Sequence, residues 1–120
     1  MAPATAAPKR VAQRKTQIEH RNEVAITGRL SAMAEARELP SGDEVVAWRI
    51  IVDRPAGAER AGIDAVDCVA FNARVRRAAL RWQPGETIAV EGALRRRFWR
   101  SPSGTASRFE VEVARATRGG

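Results

Sequence analysis

Residues 87–116 read TIAVEGALRRRFWRSPSGTASRFEVEVARA, and the shape of the domain follows from how they fold. Two β-prone runs, Thr87 to Trp99 and Ser107 to Ala116, flank Ser101-Pro102-Ser103-Gly104, where two backbone breakers define an exposed hairpin connection. The first run is long for a strand, and such a length suits one that curls around the corner of a barrel.

Toward the N-terminus the pattern supplies the rest of that barrel. Val24, Ile26, Gly28 and Leu30 fall on one side of an extended chain, and Glu23, Ala25, Thr27 and Arg29 fall on the other. Pro40-Ser41-Gly42-Asp43 is turn chemistry, and Val45 to Val52 follows as a second strand with Val46, Trp48, Ile50 and Val52 on one face. Asp53 to Gly62 reads as a long connecting loop. Ile63 to Phe71 is then a third strand, with Cys68 inside it.

Asn72 can cap a helix over residues 73–82. Val75, Ala78, Ala79 and Trp82 fall at helical spacing, Pro84-Gly85 stops the element, and Arg74, Arg77 and Arg81 lie on its outer side. The chain has no internal repeat and no heptad. Five strands with one short helix between the third and fourth match an all-β OB-fold, a five-stranded Greek-key barrel whose surface and hairpin loops bind oligonucleotides.

Composition narrows the function. The 120 residues have room for one domain: a disordered basic arm over 1–21, the barrel over 22–117 and a short tail over 118–120. Nineteen Arg and two Lys against 14 Asp and Glu give a net charge of +7, which favours a polyanionic partner. The excess is local, with +4 in residues 1–21, −4 in 22–71 and +7 in 72–120. A single Cys and a single His, Cys68 and His20, exclude an internal disulfide, a His-containing metal cluster and a Cys-His nucleophile in the rigid fold. No cofactor, metal or small-molecule substrate is expected. No apolar run is long enough to span a bilayer, and the N-terminus lacks the apolar stretch of a secretory signal, so a soluble, intracellular protein is expected.

The stretch Gly92-Ala93-Leu94-Arg95-Arg96-Arg97-Phe98-Trp99-Arg100 interleaves four guanidinium groups with an indole. With regular pairing, Arg95, Arg97 and Trp99 share one face, and Leu94, Arg96 and Phe98 share the other, unless a bulge near Gly92 exchanges them. Cations that track phosphates beside an aromatic platform are what binding of single strands needs. The competing reading is a solvated strand edge that discourages aggregation. Arg49 points outward from the second strand as a further phosphate contact, whereas Trp48, Trp82 and Cys68 read as core. Glu110 and Glu112 read as a solvated face.

The segments Asn22-Glu23-Val24 with Gly28-Arg29-Leu30, Leu39-Pro40-Ser41-Gly42, Cys68-Val69-Ala70-Phe71, Gly85 to Gly92 and Leu94 to Trp99 resemble, in order and spacing, the bacterial single-stranded DNA-binding proteins. The resemblance runs from Asn22 to about Ala116. It implies an OB-fold assembled as a homotetramer, or a dimer, that wraps single-stranded DNA without sequence preference in replication, recombination and repair, with no catalysis. Trp99 and Phe71 match the family's stacking residues, Arg95 and Arg97 match basic positions that contact the strand, and Arg100 and Arg49 complete the expected set. Two further stacking Trp of the family have no counterpart, one in the loop after Asp53 and one near Ala65. The chain ends at Thr117-Arg118-Gly119-Gly120 without the family's acidic tip, which implies a short form. The alternative is an OB-fold protein-interaction subunit, primosome-like or a partner of another single-strand binder, with little DNA binding of its own.

Overall fold

A computed structural model describes residues 18–119, so the expected arm lies outside it except for residues 18–21, as does Gly120 of the tail. The elements are β1 (Val24–Leu30), β2 (Glu35–Glu38), β3 (Glu44–Asp53), β4 (Ile63–Ala70), a helix α1 (Ala73–Ala79), β5 (Thr87–Ser101) and β6 (Gly104–Arg118).

The strands form one sheet in the order β1-β5-β6-β4-β3-β2, and β1 also pairs with β3, which closes β1, β3, β4, β6 and β5 into a barrel. Four of the five barrel pairings are antiparallel; β4 and β6 run parallel through Cys68↔Val111 and Val69↔Glu112. This is the expected OB barrel, with the helix between its third and fourth strands. The alternation seen in the sequence is the inside-outside alternation of the wall: Val46, Trp48 and Ile50 of β3 meet Ala70, Cys68 and Val66 of β4 on the core side.

Helix α1 plugs one end of the barrel. Its N-cap is Asn72, whose Oδ1 accepts the Val75 backbone N–H at 2.9 Å, and Val75 and Ala79 face inward. The helix ends at Ala79, three residues before the expected limit. Arg81 N–H to Ala78 O and Trp82 N–H to Ala79 O are i→i−3 bonds, and this tighter final turn still swings Trp82 into the core. There its ring meets Trp48 edge-on, with centroids 5.1 Å apart and planes at 88°. Both indoles are core residues, as their positions in the apolar stripes imply. Cys68 is likewise a buried apolar group, and desolvation, with smaller effects from Asp67 and Glu110, pushes its thiol up to about 12.

Two glycines permit the barrel's tight crossings. A Cβ on Gly28 would run into the Ile51 carbonyl where β1 meets β3, and one on Gly92 would run into the Glu112 carbonyl. Gly92 sits beside a β-bulge, since Glu91 pairs with Arg115 and Gly92 with Val113, leaving Ala114 as the extra residue on β6. The Ala114 carbonyl accepts from Asn72 Nδ2 at 3.3 Å, so the cap of α1 also secures the bulge.

Two expectations need correction. The sheet has six strands rather than five: β2 pairs with the first half of β3, from Glu35↔Ala47 to Glu38↔Glu44, and its Glu-Ala-Arg-Glu sequence is exposed throughout, so it carries no apolar alternation. The final hairpin is also longer than the sequence indicates. Pairing continues through Trp99↔Ala106 to Ser101↔Gly104, leaving only Pro102 and Ser103 as the turn, and Ser101 Oγ donates to the Gly104 carbonyl at 2.8 Å. Residues 92–101 and 104–113 therefore form a two-stranded ribbon.

Candidate nucleic-acid interface

Paired residues in adjacent strands share a face, so the register fixes the outside of the barrel. Ala47 of β3 lies beside Val69 of β4, Glu112 of β6 and Ala93 of β5, all turned away from the core. Along this outer face the ribbon presents Arg95 opposite Glu110, Arg97 opposite Arg108 and Trp99 opposite Ala106. Because the extra residue of the bulge is on β6, the parity of β5 is unbroken. Arg95, Arg97 and Trp99 thus share one face as expected.

Two open grooves lie on the outer face. One, of about 290 Å³, brings Arg49 and Arg97 together with Arg37 and Arg108. The other, of about 590 Å³, joins Phe71, at the end of β4, to Arg95. Phe71 is 37% exposed and Trp99 46%, which leaves ring area available for a base. Arg108, which the sequence did not single out, sits with its guanidinium 6.0 Å from the Trp99 ring centroid. Its position became visible only through the Arg97↔Arg108 register. Arg100 lies on the opposite face of the ribbon, beside Thr105, and is not part of this row.

The outer guanidinium groups already have partners. Arg95 Nε donates to Glu112 Oε1 at 2.9 Å, Arg97 Nη1 to Glu110 Oε2 at 3.0 Å and Arg49 Nε to Asp67 Oδ1 at 2.9 Å. Glu110 is not a solvated carboxylate: it is 5% exposed, held by Arg97 and at 3.9 Å by Arg108, while Glu112 is partly buried beneath Arg95. These pairs hold each side chain over the face. At Arg49 and Arg95 both members of the pair reach solvent, where such pairs contribute about 0–1 kcal/mol, so a phosphate can displace the carboxylate at little cost. Glu110 is buried, so Arg97 keeps that partner and meets a phosphate with its exposed N–H groups.

The base of the ribbon is clamped from β1. Asn22 Nδ2 donates to the Leu94 carbonyl at 2.8 Å, and its Oδ1 accepts the Leu94 N–H at 2.9 Å, so one side chain extends the β1–β5 ladder by a rung. This gives a physical reason for the Asn that opens the barrel sequence. Among the described residues, no group of three or more His, Cys, Asp or Glu is arranged to hold a metal ion, and no helix is long and apolar enough to cross a membrane.

A closed five-strand barrel with an arginine-lined outer face and a projecting aromatic ribbon defines an OB-fold of the oligonucleotide-binding kind. The single-strand binding protein family model matches residues 21–118, and the chain belongs to that family. A solved Plasmodium falciparum SSB, in complex with ssDNA, superposes with a TM-score of 0.68 over 85% of this chain and 96% of that one, at 16% sequence identity. At that identity the likeness is one of fold.

Proposed function

We propose that this protein binds single-stranded DNA without sequence preference, bases stacking on Trp99 and Phe71 while Arg95 and Arg49 exchange their carboxylate partners for phosphates and Arg97 takes a phosphate alongside its buried Glu110. The observation that carries the reading is a half-exposed indole in line with three arginines on the outer face of the ribbon. Family membership supports it. On this reading the protein is not an enzyme. It coats and protects single strands in replication, recombination or repair, in the cytoplasm at the nucleoid, as a homo-oligomer of two or four chains.

The protein carries its own probe. Of its three Trp, Trp48 and Trp82 are buried and only Trp99 can meet a base, so quenching of fluorescence by oligo-dT reports on one residue. Oligo-dT is expected to quench strongly. Trp99→Ala is expected to abolish the quench and weaken binding about 5- to 150-fold, the equivalent of about 1–3 kcal/mol for one stacked base. Binding that is tight and indifferent to salt would contradict the reading. Native mass spectrometry with and without an oligonucleotide of defined length reads subunit number and stoichiometry together.

A further inference from the structure

The reverse face of the ribbon has a different chemistry. Both acids of the ribbon, Glu110 and Glu112, lie on the outer face beneath Arg95 and Arg97. The barrel-side face carries Leu94, Arg96, Phe98 and Arg100 from β5, opposite Val111, Phe109, Ser107 and Thr105 from β6, with no carboxylate among them. Phe98 is 63% exposed and Phe109 54%, each more than Trp99. The Arg96 guanidinium is 5.1 Å from the Phe98 centroid and 5.3 Å from that of Phe109, and is held there by bonds to Ser107 Oγ at 3.2 and 3.0 Å. Arg100 lies opposite Thr105 and has no carboxylate partner among the described residues.

We propose that this barrel-side face is a second single-strand binding strip, in which Phe98 and Phe109 stack on bases while Arg96 and Arg100 take phosphates. The proposal rests on the single-strand reading above and adds a site to it. Charge complementarity selects a nucleic-acid strand as the occupant of this face. Two guanidinium groups with no carboxylate partner among the described residues, set among exposed rings, match a chain that alternates flat apolar bases with anions. An apolar protein surface placed there would strip water from both cations and give nothing back. Because the ribbon is only one sheet thick, a strand that leaves Trp99 can pass over its edge and continue on these rings.

The test compares wild type, Trp99→Ala and the double variant Phe98→Ala/Phe109→Ala, whose rings lie outside the core and whose fold is checked by far-UV circular dichroism. The double variant is expected to bind a long oligo-dT at least tenfold more weakly, while its residual complex still quenches Trp99. Irradiated 5-bromouracil oligonucleotide bound to wild type is expected to crosslink to the tryptic peptide spanning residues 109–115, in which Phe109 is the one aromatic. If wild type binds, Trp99→Ala weakens it and the double variant binds as wild type does, this strip is excluded and the outer-face reading stands. If the double variant instead loses self-association at unchanged affinity per subunit, the face is a protein contact and the proposal fails. If wild type does not bind oligo-dT at all, both readings fail together.

Discussion

Glu112 holds Arg95 in place and also competes with DNA for it. Glu112→Gln removes the competing charge, keeps a hydrogen-bond acceptor and is expected to tighten oligo-dT binding severalfold at low salt, as read by titration of Trp99 fluorescence. Glu110→Gln has a different outcome, because Glu110 is buried between Arg97 and Arg108 and its loss leaves both without their charge partner. That variant is expected to be less stable. Cys68 provides a pH prediction: its thiol, raised from 9.0 to about 12 in the folded chain, stays protonated where the unfolded chain ionises. The native state then binds more protons above about pH 9, so this group's contribution is constant below that pH and falls as pH rises from 9 toward 12. Thiol reagents at pH 8 are expected to modify Cys68 only at the rate of unfolding, and Cys68→Ala should flatten the alkaline decline.

The ribbon depends on two local devices, a glycine at its root and an asparagine across it. Gly92→Ala forces a Cβ against the Glu112 carbonyl and the Val113 backbone and is expected to lower stability by about 1–3 kcal/mol, seen as a lower urea midpoint. Asn22→Ala removes two bonds to Leu94 and is expected to cost about 1–2 kcal/mol, with faster amide exchange at the ribbon's base. Elements with an apolar rhythm were legible in the sequence, and Val24 to Leu30 and Val45 to Val52 proved to be strands because burial on one side imposes period two. Glu35–Glu38 was not legible: its four residues are exposed, and only the neighbouring edge of β3 makes it a strand. The shared face of Arg95, Arg97 and Trp99 was legible from parity. Their carboxylates were not, because Arg95 meets Glu112 and Arg97 meets Glu110 across a register that a turn of two residues sets.

At the scale of the molecule, the positive excess is spread over more than one surface. Arg74, Arg77 and Arg81 of α1 and its final turn are exposed and have no carboxylate partner among the described residues, whereas the outer-face arginines are largely compensated. Long-range steering therefore draws on the helix end of the barrel as well as on Arg96 and Arg100 of the ribbon. Replacing all three by Ala is expected to slow oligo-dT association at low salt by stopped-flow quenching, with the difference vanishing near 1 M salt, where screening reaches only about 3 Å.

The closure of the barrel is uneven. β1 joins β3 through only Arg29↔Ile51 and Leu30↔Ile50, and β4 joins β6 through only Cys68↔Val111 and Val69↔Glu112, whereas β3 and β4 share eight paired positions and β5 and β6 fourteen. When thermal fluctuation opens the wall, it opens at these two short seams. Between them the β3–β4 and β5–β6 hairpins stay whole, so the cylinder can part and reclose while the ribbon that carries Arg95, Arg97 and Trp99 stays assembled.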